Sequence, residues 1–267
     1  MADNIPTVIL AGGLGMRMRD YSDILPKALV PIGNKAVIHH VMDIYASQGF
    51  NKFIVCLGYG GDQIKNYFCN LDIKLPHLRV NTRSGTKESL EKEVDDFEID
   101  FIYTGLNSLT GERIRRIKDY VKSEDFFVTY CDGLANINLT KLLNHHRKMG
   151  KSATLTATHT TSPFGIVETN GGMVESFKEK PVLLGYINGG FFVFNRRAFD
   201  YIFEGSTLEE EPLRNMAKDR QLAAYNHEGF WACMDTPKDI ERLNSIWERG
   251  LMPHAGIHYD QIPWKKI

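Results

Sequence analysis

Residues 7–18 of this chain read TVILAGGLGMRM. The first four form a short apolar run rich in β-branched residues, which predicts a buried β-strand. The run stops at a cluster of glycines, which indicates a loop. Because glycines carry no side chain, the backbone N–H groups of that loop can approach a ligand closely, and Arg17 adds a guanidinium that can hold two phosphate oxygens. The stretch therefore predicts a strand that leads into a phosphate-binding loop.

Two better-known phosphate-binding loops do not fit these residues. A dinucleotide fingerprint needs a third glycine where Met18 stands, and a P-loop ends in Gly-Lys-Ser/Thr, which this stretch lacks. On the glycines alone, a tight strand-to-helix turn followed by a surface arginine explains the stretch equally well.

The region around this loop alternates between strand and helix patterns. Apolar residues have helical spacing over 35–48, and they are consecutive, as in a buried strand, over 53–57. A glycine turn then opens a helix over 63–71. Such alternation predicts an α/β fold with a mixed, mainly parallel sheet flanked by helices. From residue 153 onward, short strands separated by turns such as 170–172 predict a smaller β-rich part.

Two segments stand outside this alternation. Residues 81–98 are polar with mixed charges, which predicts an excursion or a marginal helix. Residues 251–267 contain two prolines and several aromatic residues. We expect this C-terminal tail to pack on the protein surface or on a partner subunit.

The composition excludes several classes of protein. Of the 267 residues, 43% are hydrophobic and 24% charged, as in globular proteins and unlike disordered chains. Lysine and arginine number 32 against 33 acidic residues, so the chain has no overall attraction to nucleic acid or to an anionic membrane. The sequence has neither a bilayer-spanning apolar run nor a secretory signal. Its four cysteines form no C-x-x-C pair and fit a reducing compartment. We therefore expect a soluble, cytoplasmic protein.

Three charged residues stand where they can serve a phosphate site. Lys27 lies between two prolines that stiffen its loop, although a lysine in such a place is most often a solvated surface charge. Asp132 follows a predicted buried strand, at the edge where open α/β sheets bind ligands, and a carboxylate there suits Mg²⁺. An Asx-turn or helix cap is its alternative role. Asp235 ends another apolar strand before Thr-Pro, and a plain N-cap explains it as well.

Residues 177–181 (FKEKP) and 187–191 (INGGF) form a further candidate. Lys180 lies at a predicted strand end beside a proline, where its charge can point into a cleft. Asn188 beside two glycines offers an amide where a polyol can approach. Each piece alone is a weak signal, because Glu-Lys pairs are common on protein surfaces.

In this order the motifs resemble those of the sugar-1-phosphate nucleotidyltransferases. They are LAGG-x-G-x-R at 10–17, PK at 26–27, DG at 132–133, EKP at 179–181, INGGFF at 187–192 and W-x-x-MDT at 231–236. Within the family, the stretches 104–113, 153–158 and 211–213 resemble the branch that uses CTP and glucose 1-phosphate. The resemblance runs from about residue 8 to residue 250.

The resemblance implies a Rossmann-like, GT-A-like α/β fold with one nucleotidyltransferase domain over residues 1–250. Residues 1–150 would form mainly the nucleotide-binding half and residues 151–250 the sugar-phosphate-binding half. The implied reaction condenses CTP with a sugar 1-phosphate, glucose 1-phosphate in that branch, to a CDP-sugar and pyrophosphate, with Mg²⁺ as cofactor. A homo-oligomer without nucleic-acid or membrane partners is also implied.

The resemblance assigns a role to each matching residue. Nucleotide binding falls to Leu10, Ala11, Gly12, Gly13, Arg17, Lys27, Ser108, Thr110, Arg113 and Asp132. Binding of the sugar phosphate falls to Glu179, Lys180, Asn188 and Gly189, the metal to Asp132 and Asp235, and catalysis to Arg17, Lys27 and Lys180. The attacking phosphate oxygen is already anionic, so no general base is needed. Catalysis must then come from charge neutralisation and in-line positioning.

Departures from the family pattern keep other functions open. Met16 stands where the family has threonine, and Glu112 and Cys131 stand where it has glycine. The same chemistry with another nucleotide or sugar 1-phosphate is one alternative, and a non-catalytic nucleotide-sensing subunit is another. A glycosyltransferase would carry a D-x-D metal motif, whereas the similar string here, residues 98–100, begins with glutamate.

Overall fold

The fold is taken from a computed structural model that describes residues 5–13, 25–71, 77–90, 96–162, 164–252, 257–258 and 261–265. Two residues singled out in the sequence, Met16 and Arg17, lie outside these ranges. None of the described helices has an apolar stretch of the length needed to cross a membrane.

The described strands and helices follow one another along the whole chain. The strands are β1 (Thr7–Leu10), β2 (Pro31–Ile32), β3 (Lys35–Ala36), β4 (Lys52–Leu57), β5 (Leu78–Asn81), β6 (Thr86–Ser89), β7 (Glu98–Tyr103), β8 (Asp125–Tyr130), β9 (Gly133–Ala135), β10 (Ala153–Thr158), β11 (Ile166–Asn170), β12 (Met173–Lys178), β13 (Ile187–Asn195), β14 (Leu222–His227), β15 (Trp231–Cys233), β16 (Leu251–Met252) and β17 (Ile257–His258). The helices are α1 (Val37–Ala46), α2 (Gly61–Cys69), α3 (Thr110–Arg116), α4 (Leu139–Met149), α5 (Glu211–Lys218) and α6 (Pro237–Arg249), with 3₁₀ turns at Lys27–Leu29 and Arg196–Tyr201.

Seven strands form one sheet in the order β14-β10-β13-β8-β1-β4-β7. β1 pairs in parallel with β4 and β8, and β4 pairs in parallel with β7. β13 is antiparallel to both of its neighbours, β8 and β10, while β10 and β14 are parallel. The predicted α/β fold with a mixed, mainly parallel sheet is thus confirmed.

β1 lies in the interior of this sheet, and all four of its residues are buried. Val8 packs into the core on one face of the sheet, and Ile9 packs into the core on the other. Because both faces are covered, apolar residues follow one another at positions 8–10 instead of alternating with polar residues.

The order of the strands creates a crevice at one edge of the sheet. From β1 the chain moves to β4 on one side and later returns to β8 on the other. Loops that leave the carboxyl ends of β1 and β8 therefore diverge. In open α/β sheets, ligands bind in the crevice at such a switch point.

Two small two-stranded ladders differ from the sequence prediction. Residues 81–98, expected to be irregular or helical, contribute to the hairpin β5–β6, whose turn is held by the Arg83 backbone N–H donating to Asn81 Oδ1 at 3.0 Å. An asparagine can close a turn in this way without any apolar pattern, so hydrophobic periodicity did not reveal it. The second ladder, β9 with β15, joins two segments about 100 residues apart.

The tail enters the core of its own chain, deeper than the surface packing expected from the sequence. Trp264 is 2% exposed, and its ring lies 5.5 Å from that of Phe230. Its Nε1 donates to Nδ1 of His40 at 3.4 Å, and His40 Nε2 donates in turn to the Ile32 carbonyl at 2.8 Å. The tail therefore contributes to folding stability.

Removing the Trp264 ring should destabilise the whole protein. We expect Trp264→Ala to lower the free energy of unfolding by about 3–5 kcal/mol, because a buried aromatic side chain is replaced by a cavity. Urea denaturation followed by far-UV circular dichroism measures this change. The exposed neighbour provides the control, Gln261→Ala, which should unfold like the unaltered protein. An unchanged urea midpoint for Trp264→Ala would show that the tail does not stabilise the fold.

The stability of this core should depend on pH through His40. Burial lowers the pKa of His40 from 6.5 to about 4. The unfolded chain therefore takes up this proton at a higher pH than the folded chain, and stability falls as the pH drops from about 6.5 toward 4. We expect His40 to account for about 2 kcal/mol of the loss between pH 7 and pH 5. Urea midpoints at the two pH values should differ less in His40→Gln than in a His159→Gln control; equal differences would contradict the assignment.

Candidate active site

A cavity of about 720 Å³ opens at the carboxyl edge of the sheet, where β1 and β8 end. Every described residue predicted to bind nucleotide lines it: Leu10, Ala11, Gly12, Gly13, Lys27, Ser108, Thr110, Arg113 and Asp132. Asp235, predicted as a metal ligand, lines it too. The structure thus brings these scattered residues together in one crevice.

The ladder between β9 and β15 places the two aspartates side by side. Gly133 pairs with Cys233, and the backbone N–H of Met234 donates to the Asp132 carbonyl at 3.0 Å. Asp132 precedes β9 and Asp235 follows β15, so both carboxylates emerge at the same end of this short ladder. The sequence predicted that the two carboxylates meet, and the structure shows that the pairing of β9 with β15 brings them together.

Lys27 joins these two carboxylates. Its ammonium donates to Asp132 Oδ2 and, at 2.6 Å, to Asp235 Oδ1. The 3₁₀ turn that begins at Lys27 follows Pro26, which has no N–H to donate and fixes the direction of the loop. Burial acts to lower the pKa of Lys27, but the two aspartates outweigh it and hold that pKa above its ordinary value. The lysine is therefore a permanent cation.

The same group of side chains suits a divalent cation. Ligand atoms of Asp132, Cys233 and Asp235 lie within 4.8 Å of one another. Carboxylate oxygens are the ligands that Mg²⁺ prefers, and the ammonium of Lys27 demonstrates that a cation fits between them. Asp132 and Asp235 are the residues that would hold the ion. Cys233, absent from the sequence prediction, stands beside them because it closes the β15 ladder.

The glycine loop rests on a buried arginine. Arg113, in α3, is 3% exposed and donates to the Gly12 carbonyl at 2.8 Å and to the Gly105 carbonyl at 2.8 Å. A Cβ at Gly12 would lie 2.3 Å from the guanidinium, so only glycine fits at that position. Burial lowers the pKa of Arg113 without neutralising it. Among the described residues, the oxygens that accept from this guanidinium belong to peptide and hydroxyl groups, and no carboxylate lies within ion-pair distance of it.

Hydroxyl groups lie on the part of the lining that is formed by the loop before α3, by α3 itself and by Tyr130. Ser108 donates to the Thr104 carbonyl and so closes the loop before α3. Thr110 donates to Glu209 at 2.8 Å, and Tyr130 donates to the other oxygen of the same carboxylate. The sequence assigned no role to Tyr130, although it directly precedes Cys131, Asp132 and Gly133 in the motif, and Glu209 belongs to none of the motifs.

The residues predicted to bind the sugar phosphate are absent from the lining of this cavity. Glu179 and Lys180 are largely exposed and pair at 3.6 Å. Lys180 has a φ of 45°, a left-handed conformation that is costly for a residue with a side chain and is common at ligand sites. Asn188 accepts from the Gly190 N–H at 3.0 Å, and Gly190 packs against the Tyr130 ring. Tyr130 also lines the cavity, so Gly190 contacts one of its lining residues.

Two departures from the family pattern have structural explanations. Glu112 is buried, does not line the cavity, and accepts from Arg115 at 2.7 Å and from Arg116 at 2.6 Å. The hydrogen bond from Arg115 is the main cause that lowers the pKa of Glu112 to about 2, against the opposing effect of burial. Cys131 is buried, and burial raises the pKa of its thiol to about 12, so it is unreactive.

Comparison with known proteins assigns the chain to a family. The family model described as "Nucleotidyl transferase" matches residues 6–250. A probable glucose-1-phosphate cytidylyltransferase of Bacillus subtilis is 43% identical over 245 residues, which cover 91% of this chain and 96% of that protein. The glucose-1-phosphate cytidylyltransferase of Salmonella typhimurium is 40% identical over 92% of this chain and 97% of that protein.

Solved structures share the fold at much lower identity. The crystal structure of HddC from Yersinia pseudotuberculosis matches with a TM-score of 0.66 at 20% identity, over 91% of this chain and all of that one. UDP-glucose pyrophosphorylase complexed with UDP-glucose matches with a TM-score of 0.65 at 15% identity, over 91% and 98% of the two chains. With the extent of the family match and the identity to its curated members, these findings establish that the chain belongs to the sugar-1-phosphate nucleotidyltransferase family.

Proposed function

We propose that this protein condenses CTP with a sugar 1-phosphate to give a CDP-sugar and pyrophosphate, and that glucose 1-phosphate is its preferred sugar 1-phosphate. One observation carries the proposal. The crevice that gathers Lys27, Asp132 and Asp235 belongs to a chain that is 40–43% identical, over nearly its whole length, to glucose-1-phosphate cytidylyltransferases. The branch recognised in the sequence and the relatives found by comparison agree.

In the reaction, one bond to phosphorus forms and one breaks. A phosphate oxygen of the sugar 1-phosphate attacks the α-phosphorus of CTP, and the bond from that phosphorus to the oxygen bridging the β-phosphate breaks. Pyrophosphate leaves with the electron pair of that bond. Both reactants are anions, so the main obstacle is their mutual repulsion, and positioned cations are the appropriate means of catalysis.

In the proposed complex the positive groups divide this work. Lys27 and Arg113 both line the cavity, where Lys27 faces the triphosphate and Arg113 supports the glycine loop through its hydrogen bond to the Gly12 carbonyl. Arg17 belongs to the same loop by sequence. Lys180 approaches the reacting phosphate from the sugar side, while Glu179, Asn188 and Gly189 bind the sugar.

Asp132 and Asp235 would hold Mg²⁺ in this complex. A bound Mg²⁺ supplies charge neutralisation at the phosphate oxygens and a fixed orientation for them. The two aspartates thereby serve the nucleotide and not the sugar, because both line the cavity under the glycine loop.

Other features of the chain extend the proposal. We assign nucleotide binding mainly to residues 1–150 and sugar-phosphate binding mainly to residues 151–250. The exposed apolar side chains of Met173, Val174 and Phe177 on the β11–β12 hairpin support a homo-oligomer, since such patches mark interaction sites. All four cysteines are free thiols, which fits the cytoplasm.

A matrix of substrates tests the reaction itself. The protein is incubated with Mg²⁺ and each pair drawn from CTP, UTP, dTTP, GTP and ATP with several sugar 1-phosphates, and pyrophosphate release is measured. We expect the highest kcat/KM for CTP with glucose 1-phosphate. A stronger signal for another pair would replace the substrates but keep the chemistry. If no pair releases pyrophosphate, the result would favour a nucleotide-sensing subunit.

Lys180 provides a test of the assigned roles. We expect Lys180→Ala to lower kcat by about 10²–10³-fold, as the removal of one charge-stabilising donor does in other enzymes. Lys178→Ala is the matched control, because Lys178 is an exposed lysine of the neighbouring β12 that pairs with Glu168 at 3.9 Å. Steady-state pyrophosphate release measures both. Equal activity of the two variants would remove Lys180 from the mechanism.

A further inference from the structure

The ammonium of Lys27 stands where a divalent cation would bind. It contacts one oxygen of Asp132 and one of Asp235, the same two carboxylates that would share Mg²⁺. The Lys27 and Asp132 side chains are only 16% and 14% exposed, so the surrounding water screens this contact little. In the free protein, a cation that belongs to the chain itself therefore already lies between the two aspartates.

A divalent ion and this ammonium exclude each other. Mg²⁺ binds oxygens at about 2.0–2.1 Å and demands nearly octahedral geometry. The ammonium hydrogen-bonds to Asp132 Oδ2 and lies 2.6 Å from Asp235 Oδ1, so it occupies the space between the two oxygens that an ion would bind. Two cations that shared this half-buried space would repel each other strongly, so the ion can enter only if the ammonium leaves.

The loop around Lys27 allows only the side chain to leave. Pro26 packs against Gly60, and its carbonyl accepts from the Leu29 N–H at 2.8 Å, while Ala28 and Leu29 are buried. The lysine side chain itself has four rotatable bonds and lines the cavity under the glycine loop. A triphosphate bound there offers the ammonium another anion within reach.

We propose that Lys27 is an internal competitor for the divalent cation, which it excludes from the free protein and admits when a nucleotide triphosphate draws its ammonium away. This inference rests on the proposed function for the identity of the anion. It follows that nucleotide and divalent cation favour each other's binding, and linkage makes the effect reciprocal. Couplings of this kind typically change an affinity about 5- to 150-fold.

Binding of Mn²⁺ to the full chain, without nucleotide, tests the competition directly. Electron paramagnetic resonance counts the free Mn²⁺ in each titration. Lys27→Met keeps the aliphatic stem and removes the charge, and we expect it to bind Mn²⁺ about 5- to 150-fold more tightly than the unaltered protein. Lys52→Met is the control, because Lys52 is a half-exposed lysine that pairs with Glu98 on the far edge of the sheet. The gain should disappear in Lys27→Met/Asp235→Asn.

A second measurement uses the nucleotide. The ratio of the CTP dissociation constants without and with Mn²⁺ should be larger for the unaltered protein than for Lys27→Met. Association of Mn²⁺ with CTP in solution is common to both proteins and cancels in the comparison. Lys27→Gln serves if Lys27→Met does not fold, as judged by its thermal transition.

The outcomes separate this inference from the proposed function. Unchanged Mn²⁺ affinity in the folded Lys27 variants overturns the inference, even if the unaltered protein releases pyrophosphate. A gain in Lys27→Met that survives Asp235→Asn also overturns it, because the ion then binds elsewhere. Tighter Mn²⁺ binding that depends on Asp235 supports it, even if no substrate pair reacts and the proposed function fails.

Discussion

The pairing of β9 with β15 is the contact on which the site depends. Three residue pairs form this ladder, and they bring two aspartates 103 positions apart into one group. Neither strand belongs to the large sheet, so the ladder bridges the loop after β8 and the start of α6. A capping box fixes that helix start, with Thr236 and Asp239 bonded to each other's backbone. The position of Asp235 is thus determined from both sides.

Two buried cations are held in opposite ways around the cavity. Lys27 is bound to two carboxylates, whereas Arg113 is bound to uncharged oxygens, among them the Gly12 and Gly105 carbonyls. A planar guanidinium with five donors suits the second role, and a flexible ammonium suits the first. The site therefore combines one fixed charge with one that can move.

How much of this could be foreseen from the sequence varied with the kind of signal. β1, the strand near residue 53 and the buried strand before Asp132 follow from apolar periodicity, which reports burial directly. The residues assigned to nucleotide binding were identified through ordered motifs. The β5–β6 hairpin, the depth of Trp264, and the place of Tyr130 and Glu209 depend on polar turns or on contacts between distant segments. Periodicity and motifs carry no trace of such contacts.

The close fit of Gly12 over Arg113 limits how the protein can be redesigned. Since a methyl group at position 12 would collide with the guanidinium, and a shorter side chain at position 113 would remove the 2.8 Å hydrogen bond to the Gly12 carbonyl, the two positions form a single unit. Libraries that aim at new nucleotide bases are better confined to the exposed side chains of the loop before α3, at Leu106, Asn107 and Leu109. Variation at these positions changes the shape of the crevice and leaves the contact between Gly12 and Arg113 intact.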